Sequence, residues 1–143
     1  MNKILPDEHI RTAIYNAIDG IVVDGKTVNC YDTNVTGGTI PNQYVIMSTQ
    51  SNEVDKANKC EYFWDSDILL DIVTIYQNTG NTGSRLLADR IANKVRELTN
   101  VLTLGTSGLT VIYQKQSFPN DLSLQTENQN VFRKFIRISL KIK

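Results

Sequence analysis

The chain has 143 residues, of which 41% are hydrophobic and 21% charged, and its 15 basic side chains are cancelled by 15 acidic ones. A length of this order buries a core without disulfide or metal staples, and zero net charge supplies no overall field for nucleic acid or an anionic membrane. No stretch approaches the roughly 20 consecutive apolar residues that span a bilayer. The opening MNKILPDEHIRTAIYNAI also lacks the unbroken apolar run of a signal peptide, so a cytosolic setting is expected.

In chain order, Leu5, Ile10, Ala13, Ile14, Ala17 and Ile18 recur at helical spacing. Pro6 and Asp7 suit the first turn, where proline's missing N–H breaks no bond, and Gly20 ends the helix. KTVNCY at 26–31 alternates as a half-buried strand suited to a sheet edge. TNVTGGTIP at 33–41 is a turn-rich loop in which Pro41 keeps Ile40 extended, and YVIMS at 44–48 is a strongly apolar strand. The polar stretch 49–62 is expected to be an exposed loop or the arm of a long hairpin.

The next segment, Asp67–Leu102, organises the chain. Ile68, Leu70, Ile72, Thr74 and Tyr76 alternate with Leu69, Asp71, Val73, Ile75 and Gln77; both sets are largely apolar, which predicts a strand covered on both sides. Asn78, Gly80, Asn81 and Gly83 supply a turn, and Thr82 or Ser84 is placed to accept a first-turn N–H. Leu87, Ile91, Val95, Leu98 and Leu102 then mark the apolar stripe of a helix over 85–102. LGTSG turns the chain into a strand at 109–113, and 114–130 is a second polar excursion with a Pro119-Asn120-Asp121 turn. From Val131 to Lys143, Ile136, Ile138, Leu140 and Ile142 alternate with Arg137, Ser139, Lys141 and Lys143 as a half-buried strand. This order, α-β-β-β-α-β-β, predicts a single α+β domain over 1–143. Its sheet is mostly antiparallel or mixed, with two helices packed on one face and long hairpin or loop excursions.

Chemistry is sparse. His9 is the lone histidine and has no visible activating partner, so no catalytic residue is assigned. Asp65, Asp67 and Asp71 have the spacing of a carboxylate cluster, yet no companion motif supports a metal or acid–base site. NTGNTGS lacks both the Walker lysine and a full GxGxxG, so it reads as a tight β-α connection and no cofactor is expected. Cys30 and Cys60 form no CxxC and are expected as reduced thiols. Tyr62, Phe63 and Trp64 either close the base of the hairpin or anchor another subunit. Arg133, Lys134, Arg137, Lys141 and Lys143 have no acid between them. They are either an edge defended by charge or a stripe facing phosphate or an acidic partner, with Arg133, Arg137, Lys141 and Lys143 on one face.

The element order resembles the tail-completion or tail-terminator proteins of tailed bacteriophages. The residues carrying the resemblance are LPDEHIRTAIYNAI, PNQYVIMS, the strand-helix unit DILLDIVTIYQNTGNTGSRLLADRIANKVRELTNVL, GLTVIYQ and RKFIRISLKIK, and an (A/L)xxIAxxV(xx)L helix is matched by Leu87, Ala88, Ile91, Ala92, Val95 and Leu98. The resemblance implies a virion protein, assembled in the host cytoplasm, that forms a homo-oligomeric ring around the channel through which DNA leaves. The ring is commonly a hexamer, with a dodecamer as the alternative. Its neighbours would be portal, neck or tail-tube proteins, with sequence-independent proximity to DNA, no membrane and no enzymatic activity. Subunits in such rings pack through strands and long loops, which puts Tyr62, Phe63, Trp64 and Phe118 at the interface and Arg133, Arg137, Lys141 and Lys143 towards the channel or an acidic partner. Loops at 33–41 and 117–130 exceed those of a minimal member, which leaves tail terminator and neck ring both open. The competing expectation is a cytosolic nucleic-acid-binding domain using the basic last strand.

Overall fold

A computed structural model describes residues 4–58, 61–77, 83–105 and 107–143. Helix α1 (Asp7–Ile18) is followed by strands β1 (Ile21–Val23), β2 (Lys26–Asp32), β3 (Gln43–Asn58) and β4 (Glu61–Gln77). Helix α2 (Leu86–Leu98) and strands β5 (Val111–Ser117), β6 (Leu122–Gln125) and β7 (Gln129–Ile142) complete the chain. The strands form one seven-stranded mixed sheet in the order β1-β2-β3-β4-β7-β5. Strand β2 runs parallel to β3, and the other pairings are antiparallel. On the side of β7 away from β4, β5 lies against residues 137–142 and β6 against 130–133, so the two share one edge end to end.

The expected α+β class is therefore the fold, with both helices on one face. Ile10, Ile14 and Ile18 of α1 and Leu87, Ile91 and Val95 of α2 bury against Val45 and Met47 of β3, Ile68, Leu70 and Ile72 of β4, and the Ile136–Ile142 side of β7. The polar stretch 49–62 resolves to the arm of a hairpin, since β3 and β4 stay paired out to Asn58 and Glu61. At about 3.3 Å per residue, the 17-residue β4 is about 55 Å long.

The expectation that β4 is covered on both sides is corrected. The side bearing Leu69, Asp71, Val73 and Ile75 has no helix over it; Asp71 and Val73 are buried while Leu69 and Ile75 are half-buried. Shielding there comes from long neighbours in register, Tyr44 and Arg133 beside Val73 and Phe135 beside Asp71.

Helix α2 stops at Leu98, short of the expected 102. Thr99 turns its hydroxyl back to the Val95 carbonyl at 2.7 Å, and two glutamines of β5 take over the freed groups. The Gln114 side chain donates to the Thr99 carbonyl and accepts the Leu102 amide at 3.1 Å. Gln116 donates to the Arg96 carbonyl at 3.2 Å and to the Thr99 hydroxyl at 3.0 Å. The orphan carbonyls of a helix end are thus satisfied by a strand rather than by water. At the helix start, Ser84 accepts the Leu86 amide at 3.3 Å, as expected for one of the two candidates; Thr82, with Asn78, Gly80 and Asn81, lies outside the described residues. Gly83 has φ +112°, and a Cβ there would lie 2.9 Å from the Tyr76 ring and 3.2 Å from Phe132, so only glycine lets the loop cross this aromatic pair.

Candidate functional site

Two surfaces emerge from the fold: the face of the sheet without helices, and the β5–β6 edge. On the bare face, the basic residues of β7 meet carboxylates of the hairpin. Arg133 Nε donates to both Asp71 oxygens, at 3.3 and 3.1 Å, while Nη2 donates to Oδ2 in a forked pair. Asp71 is 3% exposed, and the guanidinium also lies 5.5 Å over the Phe135 ring. The hydrogen bond to Asp71 holds Arg133 above its ordinary pKa, outweighing the opposite pull of burial. Burial is also the main cause of the raised Tyr44 phenol, with the Asp71 charge second.

Further along, Lys141 binds Asp55 at 2.7 Å, approaches Asp65 at 4.0 Å and lies 5.5 Å over the Phe63 ring. The Asp55 hydrogen bond raises the Lys141 ammonium pKa. Asp67 accepts the Ser139 hydroxyl. The stripe expected to meet a phosphate is therefore largely a set of pairs within the chain, and the three aspartates are divided among three partners. Arg137, on the same face, makes no side-chain pair among the described residues. Lys143 holds the end of the sheet through reciprocal backbone bonds with Thr110 at 2.9 and 3.0 Å. Lys134 points to the helix side, as its place in the alternation requires, and joins Asp89 at 2.9 Å and Asp121 at 3.3 Å. Among the described residues no three His, Cys, Asp or Glu side chains group to hold a metal ion, and no helix is long and apolar enough to cross a membrane.

Strand alternation splits the aromatic triplet. Phe63 lies on the bare face with Lys141, whereas Trp64 packs on the core at the base of the arm, opposite Ile142 and Val54. The Trp64 indole Nε1 is buried without a hydrogen-bond partner. The side chain of Tyr62 lies outside the described residues. His9 and Val101 line a groove of about 670 Å³ between α1 and the segment after α2, with Ala13 and Leu102 in its walls.

The β5–β6 edge begins in the strand expected at 109–113, runs on to Ser117, and continues into a second strand, β6, within the stretch 114–130 expected as a polar excursion, where Phe118 is the one aromatic assigned to the interface. It carries the densest exposed apolar surface of the described chain: Ile112, Tyr113, Phe118, Leu122 and Leu124 are 50, 61, 55, 54 and 60% exposed. The alternation in DLSLQ, with Leu122 and Leu124 two apart, was the signal for β6. Elsewhere, Cys30 is free and buried, and burial, aided by Asp19 and Asp32, pushes its thiol up to about 12; Cys60 lies outside the described residues.

No known protein family matches the sequence, and no curated protein matches it. Among solved structures, the chain is similar to one from the virion of a native gene transfer agent particle. The two are 16% identical, the match covers 92% of this chain and 94% of the other, and the TM-score is 0.60, so the α+β fold is shared over nearly the whole of both.

Proposed function

We propose that this protein is a phage-type virion structural component that forms a homo-oligomeric ring, a hexamer, at the tail end or the head–tail neck, around the DNA exit channel. The carrying observation is the fold shared end to end with a chain of a gene transfer agent virion, which agrees with the element order that resembles tail terminators. The site chemistry is consistent with a non-enzymatic role: Asp71, Asp65 and Asp67 are taken up by Arg133, Lys141 and Ser139, and among the described residues no nucleophile–base pair is assembled.

Within this reading, the bare face with Arg133, Arg137, Lys141 and Lys143 looks towards the channel or an acidic neighbour. Pairing of Arg133 and Lys141 with carboxylates leaves little free positive charge, which suits a wall that DNA must pass without being gripped. Phe63, Trp64 and Phe118, with Tyr62, belong to the contacts between subunits. Sedimentation and negative-stain electron microscopy of the purified protein test the proposal. Ring-shaped particles of six subunits are expected, and a protein that stays monomeric at high concentration overturns it.

A further inference from the structure

Three of the sheet's open edges among the described residues differ in kind. Strand β1 is three residues long, with Asp24 and Lys26 in its turn, the short, charged form that blunts an edge. Strands β5 and β6 are the reverse, with Ile112, Tyr113, Leu122 and Leu124 all at least half exposed and Lys115 the only charged residue within the two strands. An apolar edge of this kind pairs with another strand when one is offered. The third stretch is the outer side of β3 after Met47, where β2 has ended and no strand pairs with Ser48–Val54.

These last two edges match. The outer side of β3 stays open from Ser48 to Asn58, so Ser48–Val54 offers a stretch long enough for the seven-residue β5. Glu53 lies opposite Asp65 and Lys115 opposite Ser139, so both belong to the bare face. Both are exposed, and neither forms an ion pair within the chain among the described residues. Joined edge to edge, two subunits would continue one sheet with the bare face on one side and Glu53 within reach of Lys115.

We propose that Ser48–Val54 of one subunit adds as a strand to the β5–β6 edge of the next copy of this chain. The inference rests on the ring reading and says which surfaces close it. Backbone hydrogen bonds supply the affinity, and the alternate side chains set the register. Donor and acceptor edges differ, so the contact is heterologous and each subunit keeps one edge of either kind for its two neighbours, as a ring requires.

The test uses two kinds of blocked full-length chain. The β5–β6 edge is blocked by Ile112→Lys, Leu122→Lys and Leu124→Lys, all at exposed positions. The arm edge is blocked by Ser51→Pro or Asn52→Pro. Successive amides in a strand face opposite neighbours, so one of these prolines breaks the β4 pairing and the other only the open edge. The variant that retains the wild-type melting curve is used. Each blocked chain alone is expected to be monomeric, and a 1:1 mixture is expected to give a heterodimer and nothing larger, because only one good contact remains. An arm-blocked chain that still forms the wild-type oligomer overturns the inference and leaves the ring reading standing, whereas a monomeric wild type overturns both. As a probe without backbone change, Glu53→Lys should weaken assembly about fivefold and Lys115→Glu should restore it; loss without rescue argues against the proposed register.

Discussion

The two faces of strand β7 are held in place by different physics. On the helix side Ile136, Ile138 and Ile142 are fully buried in a cluster that excludes water on every side, and volume decides stability there. On the bare side no described helix or strand covers Arg133, Phe135, Arg137 and Lys141, and order comes from paired charges and side chains lying along the sheet. A strand can thus be core on one face and prospective interface on the other. Its bare face keeps its shape because Arg133 is tied to a buried aspartate.

The largest expected effect breaks the covered face. Ile138→Ala should cost about 4 kcal/mol in chemical denaturation, the upper part of the range for emptying a closed site, while Phe135→Ala, one strand face away, should cost about 1 kcal/mol. Equal losses would mean that the bare face is packed as tightly as the core. Next, Arg133→Ala should cost about 2–4 kcal/mol, more than its own partial exposure suggests, because Asp71 stays behind as a buried, uncompensated carboxylate. The double variant Asp71→Leu, Arg133→Met should recover most of that stability; a double variant as unstable as the single would show that the pair is worth its desolvation. The effect that is smallest near neutral pH reads how dry the covered face is. Cys30 titrates at about 12 in the folded chain against the ordinary 9.0, so the unfolded chain loses its proton first. The contribution of the protonated thiol is complete below pH 9 and is lost as pH climbs from 9 towards 12, at up to about 1.4 kcal/mol per unit. Cys30→Ala should lower stability at pH 7 yet flatten the curve above pH 9; parallel curves for the two proteins would mean that water reaches the thiol.

Regular alternation and helical stripes carried most of the fold into view. Leu87, Ile91 and Val95 marked α2, and the Ile136–Ile142 series marked β7, because burial on one face writes a period into the sequence. Strand β1 is too short to show a period and was not expected from the sequence; the missed signal was its turn, where Asp24 and Gly25 have φ 52° and 75°, the pair of positive angles that makes Asp-Gly a hairpin signal. The ends of α2 were not legible in the same way. Its stop depends on Gln114 and Gln116, and nothing in a glutamine's local sequence says that it will serve a helix fifteen or more residues earlier. For the candidate site, the basic stripe was visible as a string of cations, but its neutralisation by Asp55 and Asp71 was not, since strand register between distant segments creates those pairs. The exposed leucines of β6 were hidden inside a stretch that composition alone makes look like a loop.

The place of β7 in the sheet has a kinetic consequence. It comes last of the elements described, yet it lies inside the sheet, paired with β4 from Trp64↔Ile142 to Gln77↔Gln129. Until residues 129–142 are made, β4 presents an unpaired, isoleucine-rich edge, and α2 lacks a strand that it packs against. Such contacts between distant segments slow folding, because a long loop must close before any of them forms. Subunits would therefore become competent to assemble only once residues 129–142 have been made, and the step that completes the body also sets β5 and β6 in place as an edge.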